Sequence, residues 1–192
     1  GGAEKFENRP DGRNIFQELE AKGYQVARSW EEAQALKDGK IFAVTDKRDT
    51  PVPAERGDRL AQSALKGMDI MDKNKKGFFM MIEGSQLDDY GHFNDLDLLM
   101  QETHDFDRTV GKVFEWAAKD GETLVVVTAD HETGGLTIVD PDENYTKTEF
   151  HFSNGSHTPL LVPIFTFGPG AEKFTGIMDN TDIMKKILEA IN

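Results

Sequence analysis

The sequence predicts an α/β protein, a largely parallel sheet flanked by helices, built as a single domain over residues 1–192. Two patterns carry that expectation. The runs Phe78–Ile82, Thr123–Thr128 and Val162–Phe167 are apolar and short, which suits strands buried on both faces of a parallel sheet. Between such runs, apolar residues recur at steps of three and four, the spacing of a helix with one core-facing stripe. Strands that alternate with helices almost throughout argue for helices layered on a sheet.

Taken in order, residues 1–12 are polar and glycine-bearing and are expected as a loop. Asn14–Lys22 reads as a helix closed by Gly23. Tyr24–Arg28 is a short strand, and Ser29 opens a second helix with Glu32 three residues on, a capping-box pattern. Gly39 is expected to end that helix, and Ile41–Thr45 forms the next strand. Asp46–Gly57 carries Pro51 and Pro53 among charges and reads as a surface loop. Arg59–Asp72 is helical, followed by the polar turn Lys73–Gly77 and the Phe78–Ile82 strand. Beyond His92 comes the longest helical pattern, with Leu99, Thr103, Phe106, Val110, Val113 and Ala117 facing the core and Gly121 as its stop. Residues 132–161, rich in Asp, Thr, Asn and Gly, break the alternation and are expected as an excursion above the sheet. Gly168-Pro169-Gly170 follows the last strand, and Thr181 is expected to cap a final amphipathic helix ending near Ile191.

Composition narrows the chemistry. With 35 acidic against 22 basic residues the formal net charge is −13, and no Lys/Arg cluster offsets it, which argues against nucleic acid as a partner. No apolar run is long enough to cross a bilayer as a helix. Cysteine is absent, so disulfides and thiolate metal sites are excluded. Oxygen and imidazole ligands remain, compatible with zinc and, for all-oxygen sites, with magnesium. The chain opens on Gly1-Gly2-Ala3-Glu4 with no signal segment and no initiator Met, which reads as a processed or truncated start.

In open α/β sheets ligands bind beyond the carboxyl ends of the strands. The Phe78–Ile82 strand ends at Glu83, and Asp88 and His92 follow at a spacing that places both on one face of a helix. The Thr123–Thr128 strand ends at Asp130-His131, with Gly134-Gly135 allowing close backbone approach. His157 lies shortly before the last strand. Each feature alone has an ordinary explanation: a surface pair, a strand-end turn, a histidine bonded to backbone. On spacing alone, a metal site and a metal-free surface weigh about evenly. His104 and His151 lack comparable partners, and Ser85 has neither a base nor an elbow motif, so it reads as a turn serine.

The ordered motifs then carry a resemblance. Glu83-Gly84-Ser85-Gln86-Leu87-Asp88-x-x-x-His92, Thr128-Ala129-Asp130-His131-Glu132-Thr133-Gly134-Gly135 and Gly155-Ser156-His157-Thr158 closely resemble the bacterial alkaline phosphatases. Phe167–Ala171 and Asp179–Asp182 resemble the same family's C-terminal pattern, and Gly1-Gly2 resembles the segment after its glycine-rich turn. The resemblance implies a hydrolase of phosphate monoesters acting through a phosphoserine, with two zinc ions and one magnesium ion in the complete enzyme. It implies Asp88, His92 and His157 as the protein ligands of one zinc, Asp130 and His131 as ligands of the second, and Glu83 as a magnesium ligand. It also implies a periplasmic or extracellular location, and a family that is often dimeric.

The departures from that pattern matter as much. The family's nucleophilic serine, its phosphate-binding arginine, an aspartate shared by the second zinc and the magnesium, and a further magnesium ligand would all fall upstream of Gly1. The chain is therefore expected to be the C-terminal part of an alkaline phosphatase, inactive by itself, with at most one complete zinc site. Asp89 stands where family members often carry lysine, histidine or tryptophan, adding negative charge beside the phosphate. Two alternatives stay open: an inactive metal-binding fragment, or a superfamily relative such as a phosphomutase or sulfatase.

Overall fold

The computed structural model describes residues 1–139, 142–144 and 146–191. They gather into two compact units, one of Gly1–Arg59 with Lys66–Met81 and one of Leu60–Leu65 with Ile82 onward.

In the first unit, helix α1 (Ala3–Glu7) occupies residues expected to be loop. Gly2 turns the chain at φ 89°, and no side chain caps the helix. The N–H groups of Gly2, Ala3 and Glu4 donate instead to the carbonyls of Arg48, Asp46 and Lys47. Donors that a helix start leaves open are thus satisfied by a distant segment, which local sequence does not announce. Helix α2 (Ile15–Ala21) is capped by Asn14, whose side chain accepts from Gln17 N at 3.1 Å. Strand β1 (Gln25–Ala27) leads through helix α3 (Trp30–Ala35) to strand β2 (Ile41–Ala43), and the strands pair in parallel. Ser29 caps α3, accepting from Glu32 N at 3.1 Å, while Glu32 reaches back to Arg28 N at 2.7 Å. The helix ends at Ala35, before Gly39. A second correction is helix α4 (Pro53–Arg56) inside the expected loop, with Pro53 in the first turn where its missing N–H costs nothing. Helix α5 (Arg59–Met71), whose Leu60–Leu65 belong to the second unit, matches expectation.

The core of this unit is Ala3, Phe16 and Val44, with Phe6, Val26 and Phe42 packed against them. Phe6 meets Phe16 and Phe42 edge-on at 6.1 and 5.3 Å between ring centroids, and Phe16 lies 5.5 Å from Phe42.

Residues 78–82, expected as a strand, form no helix or strand and join no strand pair among the described residues. Their burial alternates, with Phe79 and Met81 71% and 78% exposed. The expectation of burial on both faces is therefore not met. An unbroken apolar run cannot by itself distinguish one covered face from two.

In the second unit, helix α6 (Gln86–Phe93) turns through Asn94 at φ 55° into helix α7 (Leu96–Asp120), capped by Asp95 and stopped by Gly121. The fully buried positions of α7 are Glu102, Asp105, Thr109, Val113 and Ala117, whereas Thr103 is exposed. The core face thus includes polar residues that an apolar-stripe reading passes over. Two contacts on this face lie within the helix: Thr109 Oγ1 donates to Asp105 O at 2.9 Å, and Arg108 donates to Asp105 Oδ1 at 3.1 Å.

The remaining strands are β3 (Val125–Thr128), β4 (Glu132–Thr133), β5 (Leu136–Val139), β6 (Glu149–Phe152), β7 (His157–Thr158) and β8 (Ile164–Phe167). They pair antiparallel as β3–β8, β4–β7 and β5–β6. The mixture of helices and strands is as expected, but a largely parallel sheet is not what the described residues form, since β1–β2 is the one parallel pair among them. The reason lies in residues 132–161. They fold back on themselves as two antiparallel pairs, where a parallel return would need a long crossover. A 3₁₀ turn (Ala171–Phe174) precedes helix α8 (Asn180–Ile191). Asp179, not Thr181, does the capping, accepting from Thr181 N and Oγ1 at 2.9 and 2.8 Å. No helix among the described residues is long and apolar enough to cross a membrane.

Candidate metal centre

Helix α6 sets the first half of the site. Asp88 and His92 lie one turn apart, with Asp88 Oδ2 3.3 Å from His92 Nε2. His157 on β7 completes a group, its Nε2 3.2 Å from His92 Nε2 and 3.8 Å from Asp88 Oδ1. One ligand atom from each of Asp88, His92 and His157 falls within 4.8 Å of the others.

Two local features bring the segments together. Strands β4 and β7 pair with Thr133 opposite His157, so the residues after β3 and those before β8 are held in register. Gly91 lets α6 approach β4 closely: a Cβ there would sit 3.1 Å from the Thr133 side chain and 3.2 Å from its carbonyl oxygen. Gly91→Ala is therefore expected to destabilise the chain by about 1–3 kcal/mol through overpacking. Denaturant unfolding measures it, and no loss of stability would show that the helix sits more loosely than this.

The hydrogen bonds say which atoms are free to ligate. Gly155 O, which can only accept, lies 2.9 Å from His92 Nδ1, so the His92 proton sits on Nδ1. The His92 Nε2 lone pair then faces the second imidazole nitrogen and a carboxylate oxygen. Electron-rich atoms at 3.2–3.3 Å repel unless a proton or a metal ion lies between them. Burial tends to raise the Asp88 carboxyl, but the Thr133 hydroxyl and the nearby His92, His131 and His157 outweigh it and hold it below the ordinary aspartate value. Asp88 thus stays ionised further into acid than an ordinary aspartate. By linkage, the shift favours the folded chain above the unfolded pKa, and that support is lost as pH falls through the lowered value.

The other candidates divide. Asp130 and His131 lie next to this group as a pair, His131 Nε2 3.3 Å from Asp130 Oδ2, with the His131 and His157 rings stacked at 3.6 Å. Glu83 is exposed and outside the three-residue group. His104 and His151 are exposed and do not join it. Two residues that sequence reasoning gave no role hold the site. Thr133 Oγ1 lies 2.5 Å from Asp88 Oδ1 and 3.2 Å from His131 Nδ1. Glu132 accepts from Gly135 N at 3.1 Å, from Leu136 N at 3.2 Å and from the Thr158 hydroxyl, tying β4 to β7. The Glu132–Thr158 partnership depends on a register that no local pattern gives.

Two imidazoles and one carboxylate converging on a point are the donor set of a catalytic zinc, which keeps a fourth position open. The residues present fit such an ion.

The chain is similar to known alkaline phosphatases. The family described as alkaline phosphatase matches residues 3–151. Alkaline phosphatase 4 of Bacillus subtilis is 28% identical over 271 residues, covering 98% of this chain and 57% of that protein. The solved alkaline phosphatase of the Antarctic bacterium TAB5 is 33% identical with a TM-score of 0.91, covering all of this chain and 58% of that one. A variant of the TAB5 enzyme was solved with Mg bound in its M3 site. The chain thus spans somewhat more than half the length of these two relatives.

Proposed function

Because this chain belongs to the alkaline phosphatase family, we propose that the protein it forms part of is a zinc- and magnesium-dependent phosphate monoester hydrolase. The observation that carries the reading is the convergence of Asp88, His92 and His157, with His92 Nε2 turned toward both partners. In this proposal those residues hold one zinc, Asp130 and His131 contribute to a second, and Glu83 contributes to a magnesium ion. The bound cations would supply the positive charge that neutralises a phosphate monoester and stabilises the attacking and leaving oxygens.

The residues of this chain prepare the place. Asp88, held ionised, gives the metal a charged ligand, and the Gly155 carbonyl fixes the ring of His92. The mechanism we propose passes the phosphoryl group to a serine and then to water, with the serine in a segment upstream of these residues. Residues 1–192 are then part of one alkaline phosphatase domain. They are able to bind zinc at the first position and are not competent for turnover alone. Export to the periplasm or cell exterior is part of the same proposal.

The test is the full-length protein on an aryl phosphate at alkaline pH, with and without a chelator. Activity that disappears with the chelator and returns with zinc and magnesium is expected, and activity indifferent to the chelator would sink the proposal. Zinc binding by the chain is expected to weaken as pH falls, because imidazoles take up protons before carboxylates do and a protonated imidazole cannot ligate. Calorimetric titrations across the acid range check this, and an affinity flat with pH contradicts an imidazole site.

A further inference from the structure

We propose that Thr133 is a positioning residue for both metal positions, fixing with one hydroxyl the orientation of Asp88 and the tautomer of His131. The inference rests on the reading of Asp88 and His131 as ligands. Thr133 Oγ1 carries a single proton. A carboxylate can only accept, so that proton goes to Asp88 Oδ1 at 2.5 Å. Toward His131 Nδ1, 3.2 Å away, the oxygen then has only a lone pair to offer. The contact is attractive when Nδ1 carries the His131 proton. The relay therefore runs from His131 Nδ1–H to Thr133 Oγ1, and from Thr133 O–H to Asp88 Oδ1.

The consequence is directional. With its proton on Nδ1, His131 presents a lone pair at Nε2, the atom facing Asp130 Oδ2 at 3.3 Å. His92 is arranged the same way by a different donor set: Nδ1 bonded to Gly155 O at 2.9 Å, and Nε2 facing Asp88 Oδ2 at 3.3 Å. Both histidines thus have the far nitrogen tied back and the near nitrogen opposed to a carboxylate. In one case the tie is a backbone carbonyl, and in the other it is Thr133. Because Thr133 serves Asp88 and His131 together, a change at its hydroxyl reaches both groups, although its side chain ligates neither metal.

The discriminating experiment compares the chain with Thr133→Val, which keeps the shape and removes the hydroxyl, and Thr133→Ser, which keeps the hydroxyl. Nitrogen-15 spectra of the metal-free chain at alkaline pH, where imidazole is neutral, report which ring nitrogen of His131 is protonated. The expected result is Nδ1–H in the parent and in Thr133→Ser, and a shift toward Nε2–H in Thr133→Val. Zinc affinity at the Asp88 position is expected to fall by roughly 10–100-fold in Thr133→Val and to change little in Thr133→Ser. An Nε2–H tautomer in the parent, or Nδ1–H unchanged in Thr133→Val, overturns the proposal. Should Thr133→Val fail to fold, the parent spectrum and Thr133→Ala decide on the same criterion. A parent chain that binds no zinc would defeat the metal reading, while the tautomer spectra would still judge the relay.

Discussion

Replacing His92 with alanine is expected to lower the zinc affinity of the chain by more than ~100-fold, beyond what removal of an outer hydrogen-bond partner costs. The reason is geometric. His92 Nε2 faces both Asp88 Oδ2 and His157 Nε2, at 3.3 and 3.2 Å, so its loss leaves one imidazole and one carboxylate with nothing between them. A zinc ion bound by two protein groups must complete its shell with water and gains little over the free ion. The fold should tolerate the change, because the His92 side chain is 32% exposed and packs at the surface. Competition against a chromophoric chelator reads the affinity, and circular dichroism checks that the helices remain. His104→Ala, an exposed change on α7 outside the group, is the matched control and should leave zinc binding unaltered. Equal affinity in His92→Ala and the control would mean that the three residues converge without ligating.

The sequence made α6 and its two candidate ligands legible because a helix converts spacing into geometry directly: four residues apart means one face, whatever the rest of the chain does. His157 was legible by type, by its place before the last strand and by the Gly155–Thr158 motif, but not by any spacing that ties it to α6. Its approach to His92 depends on the β4–β7 register and on the bare Cα of Gly91, both tertiary facts. Thr133 and Glu132 were missed for a related reason. A hydroxyl or carboxylate that orients a ligand looks in sequence like any polar residue beside a turn. The fold shows the same division. Asn14, Ser29 and Gly121 mark helix ends by local chemistry and were readable. Helix α1, whose first N–H groups bond to residues 46–48, was not. The expected parallel sheet failed because apolar runs report burial, while strand direction is set by what connects them.

The largest effect on stability is expected at Phe16, whose replacement by alanine should cost about 3–5 kcal/mol. Phe16 is fully buried on α2 and forms the centre of the aromatic cluster with Phe6 and Phe42. Truncation removes the ring those two pack against and opens a cavity that Ala3 and Val44, already in place, are too short to fill. The ring also carries the Arg28 guanidinium, 4.6 Å above its centroid, and Arg28 pairs with Glu20 at 3.0 Å and Glu7 at 3.2 Å. Those ion pairs are more than a third exposed, so each contributes about 1 kcal/mol at most and cannot offset the loss. Against a total stability of ~5–15 kcal/mol, Phe16→Ala takes a large share, and Phe16→Leu should cost less because most of the volume remains. Guanidinium unfolding followed by Trp30 fluorescence, in a Trp116→Phe background so that one tryptophan reports, gives both values. A midpoint unmoved in Phe16→Ala would show that the aromatic cluster does not hold the first unit together.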